Sequence, residues 1–422
     1  MIISNISVPL LGMVDTGVTG HLDDAVYLAA VAIGSTIFSF LYSGVNFLRM
    51  GTTGITAQRY GANDNDGLKV ALGQAIVVAL IIAAVLIVLQ KPLGNIAIRL
   101  LGPESEVGLY AREYFSIRIW SAPATLANYA LIGWFIGLHN VRIPLYIVLV
   151  INITNIALDL LFVVVLGMKV DGVAAASVVG EFAGLAVGFY YVISEFRKRG
   201  GHMHILKLTS AAEYAHFFSV NANLFIRTMA LMFTFAFVTA AGARLGSLIL
   251  AANAVLMNLL HLISFALDGF AHAAEALVGK AVGEKDMASL QRSVSVTLRW
   301  SLYVAAVSCG IFFVGGPTII RLLTDLPEVV NAALIYLPWV VALPIVAVWA
   351  YLYDGVFVGA TRAREMRNIM VISALLVFLP AWYVLRPFGN HGLWLALTIF
   401  LASRGIGMHY YYRRHVLKDM AR

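Results

Sequence analysis

The sequence predicts an all-α integral membrane protein with twelve transmembrane helices in two parallel repeats of six. Three observations lead to this fold class. Apolar residues make up 61% of the 422 positions and charged residues only 12%, with a mean hydropathy of +0.86, well outside soluble composition. Apolar runs long enough to cross a bilayer, about 20 residues each, recur along the whole chain. Finally, the chain repeats itself at an offset of 222. Leu28, Ala29, Ala30, Gly61, Asp64 and Leu68 return as Leu250, Ala251, Ala252, Gly283, Asp286 and Leu290, and Gly133, Phe135, Gly137 and Arg142 return as Gly355, Phe357, Gly359 and Arg364.

In chain order the runs cover 1–20, 30–56, 70–90, 117–138, 143–166, 172–194, 217–241, 247–272, 297–316, 332–358, 368–386 and 391–412. Lipid tolerates no unpaired backbone, and runs this long and uniformly apolar are not barrel strands, so each is read as a helix. Alternate connections are basic: Arg59 and Lys69; Arg142; Arg197, Lys198, Arg199 and Lys207; Lys280, Lys285, Arg292 and Arg299; Arg362, Arg364 and Arg367; Arg413, Arg414 and Lys418. The intervening connections carry acids such as Asp23, Asp24, Glu104 and Glu106. By the positive-inside rule this is a multi-pass membrane protein with both termini cytoplasmic. The net charge of +7 is thus a topology signal that calls for no nucleic-acid partner. The closing run from His409 to Arg414 reads as an interfacial anchor toward membrane lipids.

Residues 1–194 form the expected first six-helix lobe, 195–214 a cytoplasmic linker, and 215–422 the second lobe. An even number of spans in each half makes the repeats parallel, so rocking of one half against the other is the natural motion. Near the last helix of each half the offset drifts to 220, where Gly172-Val173-Ala174 aligns with Gly392-Leu393-Trp394. The pairs Gly133/Gly137 and Gly355/Gly359 read as sites of close helix packing. The single Cys309 excludes an intramolecular disulfide. The first run carries Asp15 and lacks a basic flank, so it is not a cleavable signal peptide.

Polar residues break the repeat. At an offset of 222, Asp15 maps to Phe237, Asn155 to Val377 and Asp159 to Ala381, and at 220 Ser177 maps to Leu397. Asn155 and Asp159, four apart, share one helix face. A carboxylate at a helix centre costs roughly 2.5–3.5 kcal/mol on insertion scales, so two in one half ask for a purpose. Burial and a second nearby carboxylate both favour the protonated form. Asp15 and Asp159 are therefore expected either to bind and release a proton, or to share a sodium ion with Asn155 and the Ser177 hydroxyl, since hard cations take oxygen ligands. A single protonated carboxyl in an interhelical hydrogen bond is the structural alternative.

The second half carries Arg227, His261, Asp268, Glu275 and Asp354. Asp268 maps to Asn46 and Asp354 to Ile132. If buried, Arg227 needs an acid or carbonyls, and Asp268 or Asp354 could supply that charge; a structural ion pair and a second ion or substrate site both stay open here. His261 reads as an interior hydrogen-bonded histidine, and Glu275 as facing cytoplasmic water. The stripe Phe225, Met229, Met232, Phe233 and Phe235 on the seventh helix reads mainly as lipid or core packing.

Four segments carry a family resemblance: Val8-Pro9-Leu10-Leu11-Gly12-Met13-Val14-Asp15-Thr16, Asn155-Ile156-Ala157-Leu158-Asp159, Leu267-Asp268-Gly269-Phe270-Ala271, and the run from Leu352 through Asp354 to Arg362. Together they resemble the multidrug and toxic compound extrusion (MATE) family, DinF branch, essentially end to end. The resemblance implies two six-helix lobes forming a V and export of amphipathic, often cationic compounds. It also implies that Asp15, Asn155, Asp159 and Ser177 form a cation site, where proton or sodium binding reshapes the first helix and expels substrate. Two departures stand out. Members usually open the first helix with Leu-Ala-Leu-Pro, whereas this chain starts with Met1-Ile2-Ile3-Ser4-Asn5 where that stretch ends, so residues are expected to be missing from its front and Pro9 is not a replacement. Leu11 stands where some archaeal relatives carry a tyrosine.

The resulting expectation is a monomeric antiporter without a cofactor. It couples inward flow of protons, with sodium as the alternative ion, to export of small lipophilic or cationic substrates. Asp15 is the switch and Asp159 its partner. The rival within the superfamily is a flippase for lipid-linked precursors or polysaccharides, but the basic residues sit mostly at helix ends rather than along a lateral opening. An intramembrane enzyme is excluded by the lack of Gly-x-Gly-Asp, His-Glu-x-x-His and Gly-x-Ser-x-Gly motifs.

Overall fold

The computed structural model describes residues 24–200 and 211–420. The chain divides into two compact units, Met1–Phe217 and Phe218–Arg422. In the first, α1 (Ala25–Val45) starts where the Asp24 carboxylate accepts from Val26 N at 3.0 Å. It continues through Asn46 into α2 (Phe47–Gly61), so the expected span 30–56 sits inside one longer helical run. Then come α3 (Asn65–Val88), α4 (Gln90–Leu101), α5 (Ser105–Arg118), α6 (Ala122–Gly137), α7 (Arg142–Asp159) and α8 (Val170–Arg199). The expected first span, 1–20, lies outside the described residues.

The second unit holds most of α9 (Ala211–Arg244), then α10 (Ser247–Glu284), α11 (Met287–Leu323), α12 (Pro327–Gly359), α13 (Ala363–Ile372), α14 (Leu379–Leu385), α15 (Gly389–Tyr411) and the short α16 (Leu417–Met420). Each of the other expected spans is present as helix. Several helix ends run longer than the apolar runs, as where α10 reaches Glu284 and α11 starts at Met287, because polar helix formers extend a helix beyond the hydrocarbon without registering as apolar. Two features differ from expectation. Helix α4 was not anticipated, and the fourth span begins at Ser105 rather than near 117. The first turns of α5 carry Glu106, Arg112 and Glu113, which dilute the apolar signal although nothing in them breaks a helix.

The duplication extends to the backbone. Asn63 and Lys285, 222 apart, both take the left-handed conformation at φ 56°, and His139 and Thr361, also 222 apart, do so at 61° and 52°. After the first pair, Asp64 accepts from Gly67 N at 2.8 Å and Asp286 accepts from Ser289 N at 3.0 Å, capping the next helix in the same way. Close helix contacts repeat too. A Cβ on Gly133 would overlap the Arg49 carbonyl and one on Gly137 would lie 2.8 Å from the Thr53 carbonyl. On Gly355 it would overlap the Ala271 carbonyl, and on Gly359 it would lie 2.5 Å from the Glu275 carbonyl. The glycine pairs therefore bring α6 onto α2 and α12 onto α10, each backbone to backbone.

A buried amide cluster ties α10 to α15 in the second unit. Asn253 Nδ2 donates to Asn390 Oδ1 at 2.8 Å, while Asn253 Oδ1 accepts from Asn390 Nδ2 and Trp394 Nε1, each at 2.9 Å. Truncating Asn253 strands two buried donors and an acceptor, and an unsatisfied buried group costs about 1–3 kcal/mol. Asn253→Ala is therefore expected to lower the thermal unfolding midpoint of the detergent-purified protein. An unchanged midpoint would show that the cluster contributes nothing to stability.

Candidate functional site

In the first unit α7 and α8 run antiparallel, joined by a short connection that follows a π-helical stretch at Leu160–Val165. Their contact is close because α8 carries glycines: a Cβ on Gly180 would lie 3.0 Å from the Ile151 carbonyl and 3.3 Å from the Asn155 Cβ. That proximity places Asn155 Nδ2 3.2 Å from Ser177 Oγ, to which it donates. Asn155 is 1% exposed and Asp159, one turn on, is fully buried. Of the four residues expected in the cation site, Asn155 and Ser177 are thus joined by a hydrogen bond, and Asp159 lies buried one turn along the same helix as Asn155. The fourth, Asp15, lies outside the described residues. Asp159 directly precedes the π-helical stretch, a deviation that recurs at functional sites.

The polar surface continues along α8. Glu181 sits one turn beyond Ser177, and its Oε2 accepts from Asn128 Nδ2 of α6 at 3.0 Å. The same Nδ2 lies 3.0 Å from the Glu181 carbonyl. Just before α6, Ser121 Oγ lies 3.0 Å from Tyr42 OH, and Thr125 donates to it at 3.5 Å. Neither Glu181 nor Asn128 was singled out from sequence, although an acid within the apolar run 172–194 was the available signal.

In the second unit the Arg227 guanidinium pairs with Asp354. Arg404 of α15, missed in the sequence, joins them: its Nη2 lies 2.8 Å from Asp354 Oδ2, the oxygen that Arg227 also uses. Arg404 is 2% exposed and lies over the Phe400 ring, 5.4 Å from its centre. Two cations held on one carboxylate brace α9, α12 and α15 to one another. Asp268, half-buried, lies one turn beyond Ser264 of α10, whose hydroxyl is 2.5 Å from Tyr351 OH. Two expectations are corrected. Glu275 is 2% exposed rather than facing water, because α10 continues to Glu284 and carries that position into the packing against α12. His261 is exposed rather than interior, because it lies on the face of α10 opposite the buried Leu259, Leu260 and Ile263.

A family model described as MatE matches residues 1–161 and 224–384. Over 415 residues the chain is 44% identical to the DNA damage-inducible protein F of Escherichia coli, with 98% of this chain and 90% of the relative covered. It is 26% identical over 429 residues to the multidrug resistance protein NorM of Aliivibrio fischeri, covering 96% and 90%. Among solved structures, one described as "Crystal structure of MATE in the bent conformation" superposes with a TM-score of 0.89 at 18% identity, covering 100% of this chain and 95% of that one. Another, "Outward-facing conformation of a multidrug resistance MATE family transporter of the MOP superfamily", gives 0.87 at 17%, covering 100% and 94%. At such identities the structures establish the fold alone.

Proposed function

We propose that this protein, which belongs to the MatE family of multi-pass membrane transporters, is a proton-coupled antiporter exporting small lipophilic or cationic compounds across a bacterial inner membrane. In this reading both termini are cytoplasmic, the transporter works as a monomer, and it uses no cofactor beyond the coupling ion. The observation that carries it is the buried group of Asn155, Asp159 and Ser177 in one unit, set against Val377, Ala381 and Leu397 at the matching positions of the other. A ligand shifts a conformational equilibrium only by its differential affinity for the two states. Protonation supplies such a difference, because neutralising a carboxylate in the bilayer relieves up to roughly 2.5–3.5 kcal/mol, about a hundredfold in an equilibrium constant. Asp15, outside the described residues, is then the protonation switch and Asp159 its partner in the described part of the site. Export of drug-like compounds is suggested by relatives such as NorM, named a multidrug resistance protein.

Sodium is the second reading, since the same three side chains supply the hard oxygen donors it prefers. Efflux of a fluorescent cationic dye from proteoliposomes under separate pH and sodium gradients distinguishes the two. A pH gradient alone is expected to drive efflux, and Asp159→Asn and Asp15→Asn to abolish that response while dye binding persists. Efflux driven by sodium alone replaces the proton assignment, and wild-type coupling in Asp159→Asn removes that residue from the mechanism.

A further inference from the structure

We propose that Glu181, paired with Asn128, is a second proton-binding site of the first unit, connected to Asp159 through Ser177 and Asn155. Glu181 lies well inside α8, with buried Gly180 and Gly184 in the adjoining turns. Among the described residues it makes no salt bridge; its side-chain donors are Asn128 Nδ2 at 3.0 Å, a nitrogen that also serves the Glu181 carbonyl, and the Thr125 hydroxyl. A shared amide and a hydroxyl, both neutral, are thin support for a carboxylate in a bilayer.

Asn128 supplies a second observation. It is 2% exposed, and its Oδ1 is buried with no hydrogen-bond partner. An amide offers a donor to a carboxylate and an acceptor to a carboxylic acid. The structure uses the donor and leaves the acceptor idle, and a proton on Glu181 is the missing donor. The step is a simple transfer: hydronium gives its proton to the Glu181 carboxylate, water is left, and the new O–H can donate to Asn128 Oδ1. Part of Glu181 stays accessible, which such a transfer requires.

Connection to Asp159 follows from helix geometry. Ser177 and Glu181, four apart, share a face of α8, as Asn155 and Asp159 share a face of α7. The bond from Asn155 to Ser177 joins the two faces. Polar side chains thus run from Asp159 through Asn155 and Ser177 to Glu181 and on to Asn128. The repeat marks the same set. Asn128 maps to Ala350 at 222, and Glu181 maps to Leu401 at 220, the offset that takes Ser177 to Leu397. Every member of the path is polar in one half and apolar in the other. The ionisable groups around Glu181 are Arg118 of α5, Tyr42 of α1, Tyr129 of α6 and, beyond Tyr129, Arg49 of α2. Arg118 also donates to Tyr114 and lies over the Phe38 ring, 5.3 Å from its centre.

The path to Asp159 rests on the proton-coupled reading above, but the test of Glu181 does not. Infrared difference spectra of the purified protein across a pH step report the carbonyl stretch of protonated carboxyls directly, with no transport needed. The wild type is expected to show a titrating band that is lost in Glu181→Gln and kept in Asp159→Asn. A spectrum unchanged by Glu181→Gln overturns the proposal, even if pH-driven efflux is intact. Conversely, the band can be present while efflux fails to follow a pH gradient, which rejects the antiport reading and leaves this site standing. Should Glu181→Gln fail to fold, Asn128→Ala keeps the carboxyl and removes its partner. The midpoint of the Glu181 band is then expected to move, and an unmoved midpoint also overturns the pairing.

Discussion

Asp354→Ala is expected to lower the stability of the second unit by about 3–5 kcal/mol, the usual cost of leaving buried charge without its partner. Two guanidiniums, from Arg227 and Arg404, share this one carboxylate, and all three residues are at least nine-tenths buried. Removing the acid leaves two like charges facing each other among apolar helices. The measurement is the thermal unfolding midpoint and the yield of monodisperse protein in detergent. A companion variant tests the cause. Arg227→Met, Asp354→Leu and Arg404→Met together remove every charge, and such replacements are often neutral or stabilising. The triple variant is therefore expected to unfold no more readily than the wild type. If Asp354→Ala alone costs under about 0.5 kcal/mol, the level of ordinary surface substitutions, the triad is not what braces α9, α12 and α15. If the triple variant is stable yet transports nothing, the charges act in transport rather than in folding.

The contrast between legible and illegible features follows from what each depends on. Bilayer spans depend on summed hydropathy, and the sequence carries that sum plainly. The repeat depends on matching residues, and it predicts backbone detail as fine as the left-handed turns at Asn63 and Lys285. Helix α4 was hidden because Lys91, Asn95 and Arg99 interrupt its short apolar stripe, so no run of spanning length forms. Which face meets which neighbour depends on helix rotation, and a list of polar residues does not carry it. Arg227 was read as needing an acid or carbonyls, and its pairing with Asp354 depends on how α9 and α12 turn. Arg404 and Glu181 were overlooked although both break the repeat at the 220 offset of the last helix in each half, where Glu181 pairs with Leu401 and Arg404 with Gly184. A single charge inside an apolar run is costly wherever it falls, and that rule alone would have found both.

Gly355→Val and Gly133→Val are expected to destabilise their units by matching amounts, about 3 kcal/mol each, at the upper end of overpacking costs. The reason is what the new side chain meets. At Gly355 a Cβ overlaps the Ala271 carbonyl, and at Gly133 it overlaps the Arg49 carbonyl. A flexible side chain could swing aside, but a helix backbone cannot, so α12 must move off α10, or α6 off α2. Ala271 and Arg49 are themselves 222 apart, so one duplicated contact is being broken twice. Gly310 and Gly315 provide the control, since a Cβ there meets nothing within 4 Å. Alanine at either position is expected to raise stability by roughly 0.5–1 kcal/mol, because glycine in a helix interior carries an entropic penalty of that size. Unfolding midpoints for all four variants decide the matter. If Gly355→Val unfolds at the wild-type midpoint, the close approach of α10 and α12 is not required. If Gly133→Val and Gly355→Val differ widely, the shared contact does not carry the same weight in the two halves, and the duplication is one of sequence and backbone without being one of energetics.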